Sequence, residues 1–376
     1  MKDLLFYNIY SIYFYKCDIS LYNYFRKKLK GGFILEQITR LDNLLEIYTF
    51  KRIFVLIDLD KLGNKELDIL QNLFLSDKMG NTICFRESAL PVLNALIYNK
   101  TERDYFNVIK YIEALSEKEI YYSVYSNLKE SIEYAGKIQN SLLPNKKIVD
   151  HYFSDTFIYN KPRDIVSGDF YWFAKADDML FFAVGDCTGH GVPGAFMSIL
   201  GITLLNEIFY VNGYRDTDII LNILRENIIK SLSQSFSHSN VHDGMDIALC
   251  AIQPDYDILY YSGAFNPIVI IRDDEFIELK ADKMPVGVFI RSDIKFSKQS
   301  FDLKKNDKIY MFTDGYSDQI GGIHSKKLRK SKFYEIIQKI NKLNMIEQNK
   351  YISNFMNEWK SSNEQMDDML IVGFKI

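Results

Sequence analysis

Residues 184–195 read Val184-Gly185-Asp186-Cys187-Thr188-Gly189-His190-Gly191-Val192-Pro193-Gly194-Ala195. An apolar run, Met179–Val184, ends here at an acidic residue, and a helix-like segment, Pro193–Tyr210, follows. Proline suits the first turn of a helix, and glycines permit tight turns and close backbone approach. The stretch therefore predicts a strand, a glycine-rich turn and a closely packed helix, with the carboxylate of Asp186 held at the turn.

Short aromatic and β-branched runs, which are typical of strands, lie on both sides of this stretch. The predicted strands are Tyr152–Tyr159, Phe170–Ala174, Met179–Val184, Ile247–Gln253, Ile258–Ser262, Pro267–Arg272, Phe276–Leu279, Phe301–Leu303, Lys308–Phe312 and Met369–Phe374. A second helix-like segment, Asp218–Ser235, follows the first, and two more helices precede the last strand. For residues 150–376 this order predicts an α+β fold, an α-β-β-α sandwich of two antiparallel sheets flanked by helices.

Aspartates adjoin strand ends in this region, and they are Asp169, Asp186, Asp314 and Asp367. Each borders an apolar run that should be buried, and a carboxylate near a core is costly unless it is paired or coordinates a metal. Any one of them alone would be interpreted as a solvated turn residue, but together on one sheet system they favour a metal site. Oxygen ligation without histidine pairs or thiolates suits Mg²⁺ or Mn²⁺ rather than zinc.

The glycine-rich turn has two competing interpretations. Gly189, Gly191 and Gly194 satisfy the G-x-G-x-x-G pattern of dinucleotide-binding folds. That fold requires a second parallel strand ending in an acid about 20 residues further on, whereas a second helix follows here. A cysteine-phosphatase site at Cys187 would require an arginine six positions on, where Pro193 stands. The turn is therefore interpreted as the support of the Asp186 carboxylate.

Residues 1–110 predict a smaller α/β domain. The strand Arg52–Ile57 ends at Asp58-Leu59-Asp60 and precedes a helix-like pattern, Lys65–Phe74. A second strand, Asn81–Phe85, precedes another helix near Ala89–Tyr98. This order would suit a response-regulator receiver with Asp58 or Asp60 as phospho-acceptor. We favour a sensor or docking domain that is at most a degenerate receiver, because paired acids after a first strand and a lysine after a final one are not evident.

Residues 111–144 are predicted to form a helical linker. Apolar positions recur every seven residues within 107–143 and are Tyr121, Leu128, Ala135 and Leu142, with Val124 and Ile138 between them. This is a heptad stripe. The helix should end before Pro144, because proline disfavours helical conformation in the preceding residue. We expect a homodimeric coiled coil; packing of the stripe on its own domain is the alternative.

Composition excludes several classes of function. A formal net charge of −3 and a pI near 6.0 give no basic surface for nucleic acid. The four cysteines form no C-x-x-C pair, which argues against zinc sites and disulfides and fits a reducing cytoplasm. We find no signal-peptide pattern at the start, and we expect no apolar stretch of the roughly 18 residues that a membrane span needs. The sequence predicts a cytoplasmic protein without nucleic-acid or membrane partners.

Several motifs follow one another along residues 150–376. They are Ser167-Gly168-Asp169-Phe170-Tyr171-Trp172, the stretch 185–195, Asp243-Gly244-Met245-Asp246, Ser262-Gly263-Ala264-Phe265-Asn266-Pro267, Met284-Pro285-Val286-Gly287, Thr313-Asp314-Gly315-Tyr316-Ser317-Asp318 and Asp367-Asp368-Met369. Together they resemble the SpoIIE-type branch of the metal-dependent PPM serine/threonine protein phosphatases. Residues 132–144 are similar to the helical linker that often precedes this domain, and the resemblance does not extend to the N-terminal domain.

The resemblance implies a centre of two cations, Mn²⁺ or Mg²⁺. Asp186 would bridge them, and Asp314 and Asp367 would complete one site. The backbone carbonyl of Cys187 would serve the other site, together with Asp169 acting through water. A metal-activated water would then attack the phosphoryl group in line, without a phosphoenzyme.

Other roles stay open within the resemblance. Either Asp367 or Asp368 could be the ligand, although motif order favours Asp367, and Leu370 stands where a threonine is common. His190 could donate a proton to the leaving hydroxyl or organise the loop. Lys161 and Arg163 could attract phosphate or decorate a surface strand.

The implied substrate is phosphoserine or phosphothreonine on a regulatory partner protein, such as an anti-sigma factor antagonist. The N-terminal domain would regulate this phosphatase through the helical linker. The alternative from another class is a catalytically silent module of the same fold that binds such partners.

Overall fold

The computed structural model describes residues 10–29, 33–40, 43, 53–75, 82–85, 96–98, 101–153, 155–176, 178–234, 243–253, 257–289 and 293–376. The chain divides into two compact units, Met1–Leu128 and Lys129–Ile376. The division falls inside one long helix, so this helix contributes residues to both units.

The first unit is built on a parallel β-sheet. Its elements are β1 (Tyr10–Tyr15), α1 (Ile19–Lys28), β2 (Phe33–Ile38), β3 (Ile53–Asp58), a 3-10 turn (Leu59–Lys61), α2 (Asn64–Leu75), β4 (Thr82–Phe85) and β5 (Leu96–Tyr98). The strand order is β2-β1-β3-β4-β5, and neighbouring strands are parallel. This is the doubly wound order of flavodoxin-like folds. It confirms the prediction of a smaller α/β domain before the sandwich.

One predicted element of this unit is wrong. Leu96–Tyr98 was expected within a helix near Ala89–Tyr98, but it is strand β5 and pairs in parallel with β4. Residues 89–95 lie outside the described residues. A short apolar run suits a buried strand and a helix equally well, so the pattern alone does not separate them.

A helix of 41 residues, α3 (Glu102–Leu142), contains the predicted linker and ends just before Pro144, as expected. Its heptad stripe lies on the helix surface, since Tyr121 is 66%, Leu128 59% and Ile138 46% exposed. If the stripe packed on its own domain, these side chains would be buried. Within the described part of the chain they are exposed instead, which argues against that alternative.

The second unit holds two antiparallel sheets. One sheet consists of β7 (Phe170–Ala176), β8 (Met179–Cys187), β9 (Met245–Gln253), β10 (Ile258–Ala264) and β13 (Gln299–Asp302), in the order β13-β10-β9-β8-β7. The other consists of β6 (Asp155–Lys161), β11 (Ile268–Arg272), β12 (Glu275–Leu279), β14 (Lys308–Phe312) and β17 (Met369–Lys375), in the order β12-β11-β14-β17-β6. A small hairpin, β15 (Ile320–Gly321) with β16 (Lys326–Lys327), is separate from both.

Helices cover the outer faces of both sheets. The exception is the short helix α4 (Lys146–Tyr152), which packs Val149 against the core between the sheets. The covering helices are α5 (Gly191–Asn206) with a π-turn at Glu207–Val211, α6 (Thr217–Ser231), α7 (Gly315–Asp318), α8 (Lys330–Ile340) and α9 (Met345–Lys360). Side chains of α5 and α6 share a core with the first sheet, and side chains of α8 and α9 share one with the second. The predicted α-β-β-α sandwich is confirmed.

Helix α4 was not expected from the sequence. Its first turn is capped by Asn145, whose side chain accepts a hydrogen bond from the backbone N–H of Lys147. The following strand β6 consequently begins at Asp155, three residues later than the predicted start at Tyr152.

Strand side chains alternate between two buried faces, with a period of two. In β8, Phe182 and Val184 lie in the core between the sheets, whereas Phe181 lies in the core beneath the helices. Asp186 continues the row of Phe182 and Val184, so its side chain leaves the strand toward the space between the sheets. The core between the sheets therefore ends in a carboxylate at this edge.

The expectation that no apolar stretch reaches the length of a membrane span is wrong for one helix. The stretch Gly191–Val211 has 21 residues, and its most apolar window has a mean hydropathy of 1.5. By length and composition alone this suffices for a membrane span, but 56% of the window is buried in the fold. Met197, Ile202 and Leu205 pack in the core beside the first sheet. A core helix that is apolar on most sides gives the same signal.

Candidate metal centre

The predicted acids gather at one end of the space between the sheets. Asp169 precedes β7, Asp186 is the penultimate residue of β8, Asp314 follows β14, and Asp367 and Asp368 precede β17. Both sheets contribute, because β7 and β8 belong to one and β14 and β17 to the other. The pKa of Asp186 is raised by Asp314 and Asp367, and that of Asp169 by Asp186, Asp368 and Asp367. The structure thus makes neighbours of residues that are far apart in sequence.

Burial is the largest cause of the raised pKa values in this cluster. Desolvation raises the pKa of Asp169 and of Asp186 well above the usual range, and neighbouring carboxylates raise both further. Asp314 is exposed, but partial desolvation by its neighbours also raises its pKa, although Lys327 acts in the opposite direction. Within the described ranges, none of these carboxylates forms an ion pair with lysine or arginine. Asp169 is buried, Asp186 and Asp367 are half-buried, and Asp314 is exposed at the rim. A cation bound among these carboxylates would stabilise them.

Asp169 is held from the opposite sheet. The side chain is 4% exposed, and its Oδ2 accepts a hydrogen bond of 2.6 Å from the Thr313 hydroxyl. Thr313 Oγ1 in turn accepts a hydrogen bond of 3.0 Å from the backbone N–H of Leu370. Thr313 therefore orients the Asp169 carboxylate and connects the end of one sheet to the end of the other.

Asp367 and Asp368 have different surroundings. Asp368 is 2% exposed, and both of its carboxylate oxygens accept backbone hydrogen bonds of 2.7 Å, one from Arg163 and one from Gly168. Asp367 is half-buried, and its Oδ1 accepts from the backbone N–H of Asp368 at 2.9 Å. Asp368 is engaged in fixing the loop before Asp169, which leaves Asp367 better suited to bind a cation.

Asp246 lies in the same cluster, although no site role was predicted for it. It is directly opposite Asp186 in the antiparallel pair of β8 and β9. Burial, followed by the charge of Asp314, raises its pKa to about 7. The sequence carries a signal for its orientation, because Ala248, Cys250 and Ile252 of the same strand alternate into the core between the sheets.

Three glycines pack the turn after Asp186 against its surroundings. A Cβ at Gly168 would lie 2.7 Å from the carbonyl oxygen of Gly189, and one at Gly194 would lie 2.3 Å from the same oxygen. Gly189 itself has a φ of +82°, which disfavours any other residue. The glycines therefore allow the loop that carries Asp169 and the start of helix α5 to pack closely against this turn. The thiol of Cys187 is buried with the helix-side core, which leaves its backbone carbonyl as the group near the loop.

The basic candidates lie at the rim of the cluster. His190 is exposed, and its Nδ1 lies 3.3 Å from Oδ2 of Asp164. Lys161 donates to the Asn357 side chain at 3.3 Å, and the Arg163 guanidinium donates to the Met366 carbonyl at 3.1 Å. The cationic side-chain groups contact neighbouring loops, and Arg163 reaches the acids through its backbone N–H to Asp368 and not through its guanidinium.

The donor chemistry fits hard divalent cations, since the clustered side chains offer carboxylate oxygens. In the described part of the chain, however, no three acidic, histidine or cysteine side chains lie close enough together to bind one metal ion as they stand. The acids are near enough to raise one another's pKa, but cation binding would have to draw their side chains closer together.

The fold is that of the PP2C-type protein phosphatases. Among solved structures, the SiaA-PP2C domain of Pseudomonas aeruginosa aligns with a TM-score of 0.62 and 27% sequence identity. The alignment covers 67% of this chain and 98% of that domain.

The family follows from the sequence of the same region. The family model of stage II sporulation protein E (SpoIIE) matches residues 176–376, and the chain belongs to the SpoIIE family. A curated relative, the phosphoserine phosphatase RsbU of Bacillus subtilis (strain 168), is 25% identical over 217 residues. That match covers 56% of this chain and 60% of RsbU, so the chain spans little more than half the length of this relative. The resemblance stated from the motifs is confirmed.

Proposed function

We propose that this chain is a metal-dependent protein phosphatase that hydrolyses phosphoserine or phosphothreonine on a regulatory partner protein. The observation that carries the proposal is the gathering of Asp169, Asp186, Asp314 and Asp367 at one edge of the core between the sheets, without an ion-pairing lysine or arginine in the described residues. The names of the relatives support it, since RsbU is called a phosphoserine phosphatase. A cytoplasmic location is part of the same proposal.

Two Mn²⁺ or Mg²⁺ ions would occupy this edge. Asp186, Asp314 and Asp367 would hold one ion, and Asp186, the backbone carbonyl of Cys187 and, through water, Asp169 would hold the other. When bound, such ions lower the pKa of water and stabilise negative charge on phosphoryl oxygens. PP2C-type phosphatases are metal-dependent.

The remaining polar residues act by holding these ligands or the substrate. Thr313 orients Asp169, and Asp368 holds the loop from Arg163 to Gly168 through its two hydrogen bonds. His190, which is exposed and contacts Asp164, is our candidate for donating a proton to the leaving oxygen of the serine or threonine side chain. Lys161 and Arg163 would attract the phosphorylated segment to the rim.

One assay tests the activity. The purified chain is incubated with a phosphoserine protein or p-nitrophenyl phosphate, with Mn²⁺ or with a chelator, beside Asp186→Asn. We expect Mn²⁺-dependent phosphate release that falls by roughly a hundredfold or more in Asp186→Asn. Asp178→Asn is the matched control, because Asp178 is exposed in the turn at the other end of β8. If no metal-dependent release occurs, including after removal of residues 1–110, the alternative of a silent partner-binding module is favoured.

We further propose that the first unit regulates the phosphatase through helix α3, as a homodimer joined by the heptad stripe. Gln139, which is 6% exposed, donates hydrogen bonds to the Ser167 carbonyl at 2.5 Å and to Ser198 Oγ at 2.8 Å. Its Oε1 accepts from the Ser167 N–H at 3.0 Å. A rotation or shift of the helix would therefore act on the residue two positions before Asp169.

Deletion of residues 1–110 tests this regulation. We expect a change in the catalytic rate or in the Mn²⁺ requirement, together with a change in the oligomeric state measured by light scattering. Gln139→Leu should weaken the effect of the deletion, because it removes the hydrogen bonds to the Asp169 loop and keeps a similar volume. A monomeric full chain whose kinetics are unchanged by the deletion would contradict the proposal.

The parallel strand order of the first unit supports a sensor or docking unit related to receivers. Asp58 is 3% exposed at the end of β3, and its Oδ2 lies 3.8 Å from Nζ of Lys61, whereas Asp60 is exposed. An acid paired in this way favours a structural role, so we propose docking or sensing rather than phosphorylation at Asp58 or Asp60.

A further inference from the structure

The register of two strands places a second aspartate beside the proposed bridging ligand. In the antiparallel pair of β8 and β9, Asp186 lies directly opposite Asp246. Directly opposite residues project from the same face of a sheet, with their Cβ atoms about 4.5–5.5 Å apart. Asp246 therefore projects toward the space between the sheets, where Asp186 also points.

Two carboxylates in this position repel each other and lower the stability of the strand pair. Within the described residues, the Asp246 carboxylate forms no hydrogen bond or ion pair; the Asn266 side chain donates to its backbone oxygen instead, at 3.2 Å. Asp307, a fully buried acid of the same unit, is paired with Arg272, which contacts both of its carboxylate oxygens at 3.0 and 2.6 Å. Among the described residues, a cationic side chain therefore pairs with Asp307, and none pairs with Asp186 or Asp246.

The chain around Asp246 is held to the turn after Asp186. Thr188 donates from its backbone N–H to the Gly244 carbonyl at 3.0 Å, and its Oγ1 accepts from the Gly244 N–H at 2.6 Å. A Cβ at Gly244 would lie 2.8 Å from the carbonyl oxygen of Val286. The start of β9 is therefore fixed relative to Asp186, and the two carboxylates cannot separate by a shift of either strand.

We infer that Asp246 is an additional carboxylate ligand of the metal centre, acting beside Asp186 on the side of Asp314. A divalent cation shared by these carboxylates would convert their repulsion into attraction. This role rests on the proposed function, since it requires the same centre to bind Mn²⁺ or Mg²⁺.

The test measures metal binding and stability separately, in the full chain and without reliance on activity. Mn²⁺ affinity is measured by calorimetry, and the melting temperature is measured in chelator, for the wild type, Asp246→Asn and the exposed control Asp178→Asn. We expect Asp246→Asn to weaken Mn²⁺ binding by about 10-fold to 100-fold. Its melting temperature in chelator should stay the same or rise, because a repulsive charge is removed.

Unchanged Mn²⁺ affinity in Asp246→Asn would overturn the inference. If the affinity falls together with the melting temperature in chelator, Asp246→Glu decides: recovery of affinity supports a ligand role, and no recovery overturns it. Failure of the proposed function looks different, because the wild type itself would then bind no Mn²⁺ and release no phosphate.

Discussion

The two units of this chain both end buried strands in aspartates, but they compensate the negative charge in different ways. In the first unit, Lys61 lies 3.8 Å from Asp58 and also contacts Asp18. In the second, the carboxylates around Asp186 have one another as neighbours and no ion-pairing lysine or arginine among the described residues. A strand-end aspartate is therefore not in itself a sign of metal binding. The informative feature is whether the fold supplies its own cation.

The largest expected effect sharpens this comparison inside the second unit. Asp367→Asn should weaken Mn²⁺ binding by about 10-fold to 100-fold and leave the chelated fold intact, because this acid is not engaged by two backbone amides. Asp368→Asn should lower the free energy of unfolding by about 1–3 kcal/mol, because its new NH₂ group would face the N–H of Arg163 or Gly168. Calorimetry with Mn²⁺ and denaturation in chelator distinguish the two. If Asp368→Asn instead weakened Mn²⁺ binding and Asp367→Asn instead lowered the stability, Asp368 would be the ligand and Asp367 would hold the loop.

A smaller effect is expected in the first unit. Lys61→Met removes the ammonium group near Asp58 and should destabilise the unit by roughly 1 kcal/mol, since Lys61 is partly exposed and its ion pairs are screened. Hydrogen exchange of the β3 amides in the full chain measures this. Lys65→Met, at an exposed position of α2, is the control. If Lys61→Met does not speed up this exchange, Lys61 does not stabilise Asp58, and the difference drawn between the two units is contradicted.

The last effect is a pH dependence of the chelated protein. The folded state raises the pKa of Asp169 and Asp186 well above the usual range and that of Asp246 to about 7. The native state therefore holds protons that the unfolded chain releases, so its stability is full at low pH and is lost as the pH rises through these values. Between pH 5 and 8 the melting temperature in chelator should fall by about 3–5 °C. Saturating Mn²⁺ should reverse this trend, because the cation binds the deprotonated carboxylates.

Much of the second unit follows from local patterns. The alternation of strand residues, the turn residues and the order of the motifs were enough to predict the sandwich and the aspartates at its strand ends. Asp246 shows the limit: its alternation with Ala248 and Cys250 indicates the face on which it lies, but only the register of β9 with β8 reveals that it opposes Asp186. Pairing register depends on contacts between distant segments, which no local pattern contains.

Tertiary context also decided the other differences. Leu96–Tyr98 became a strand because it pairs with β4. The contact between Gln139 and Ser167 joins residues 28 positions apart, and heptad spacing gives no indication of it. The hydropathy of Gly191–Val211 does not distinguish a core helix from a membrane span until its packing is known.

The meeting of Gly168, Gly189 and Gly194 limits the mutational routes open to this loop. A side chain at position 168 or 194 would meet a carbonyl oxygen of the main chain, which yields less readily than a flexible side chain. A library that randomises these glycines one at a time should return mostly inactive clones. Diversity is better introduced at Val192, which is 42% exposed and lies between two of the glycines. The tolerance of this loop to engineering thus lies in its outward-facing side chains and not in the glycines that pack it.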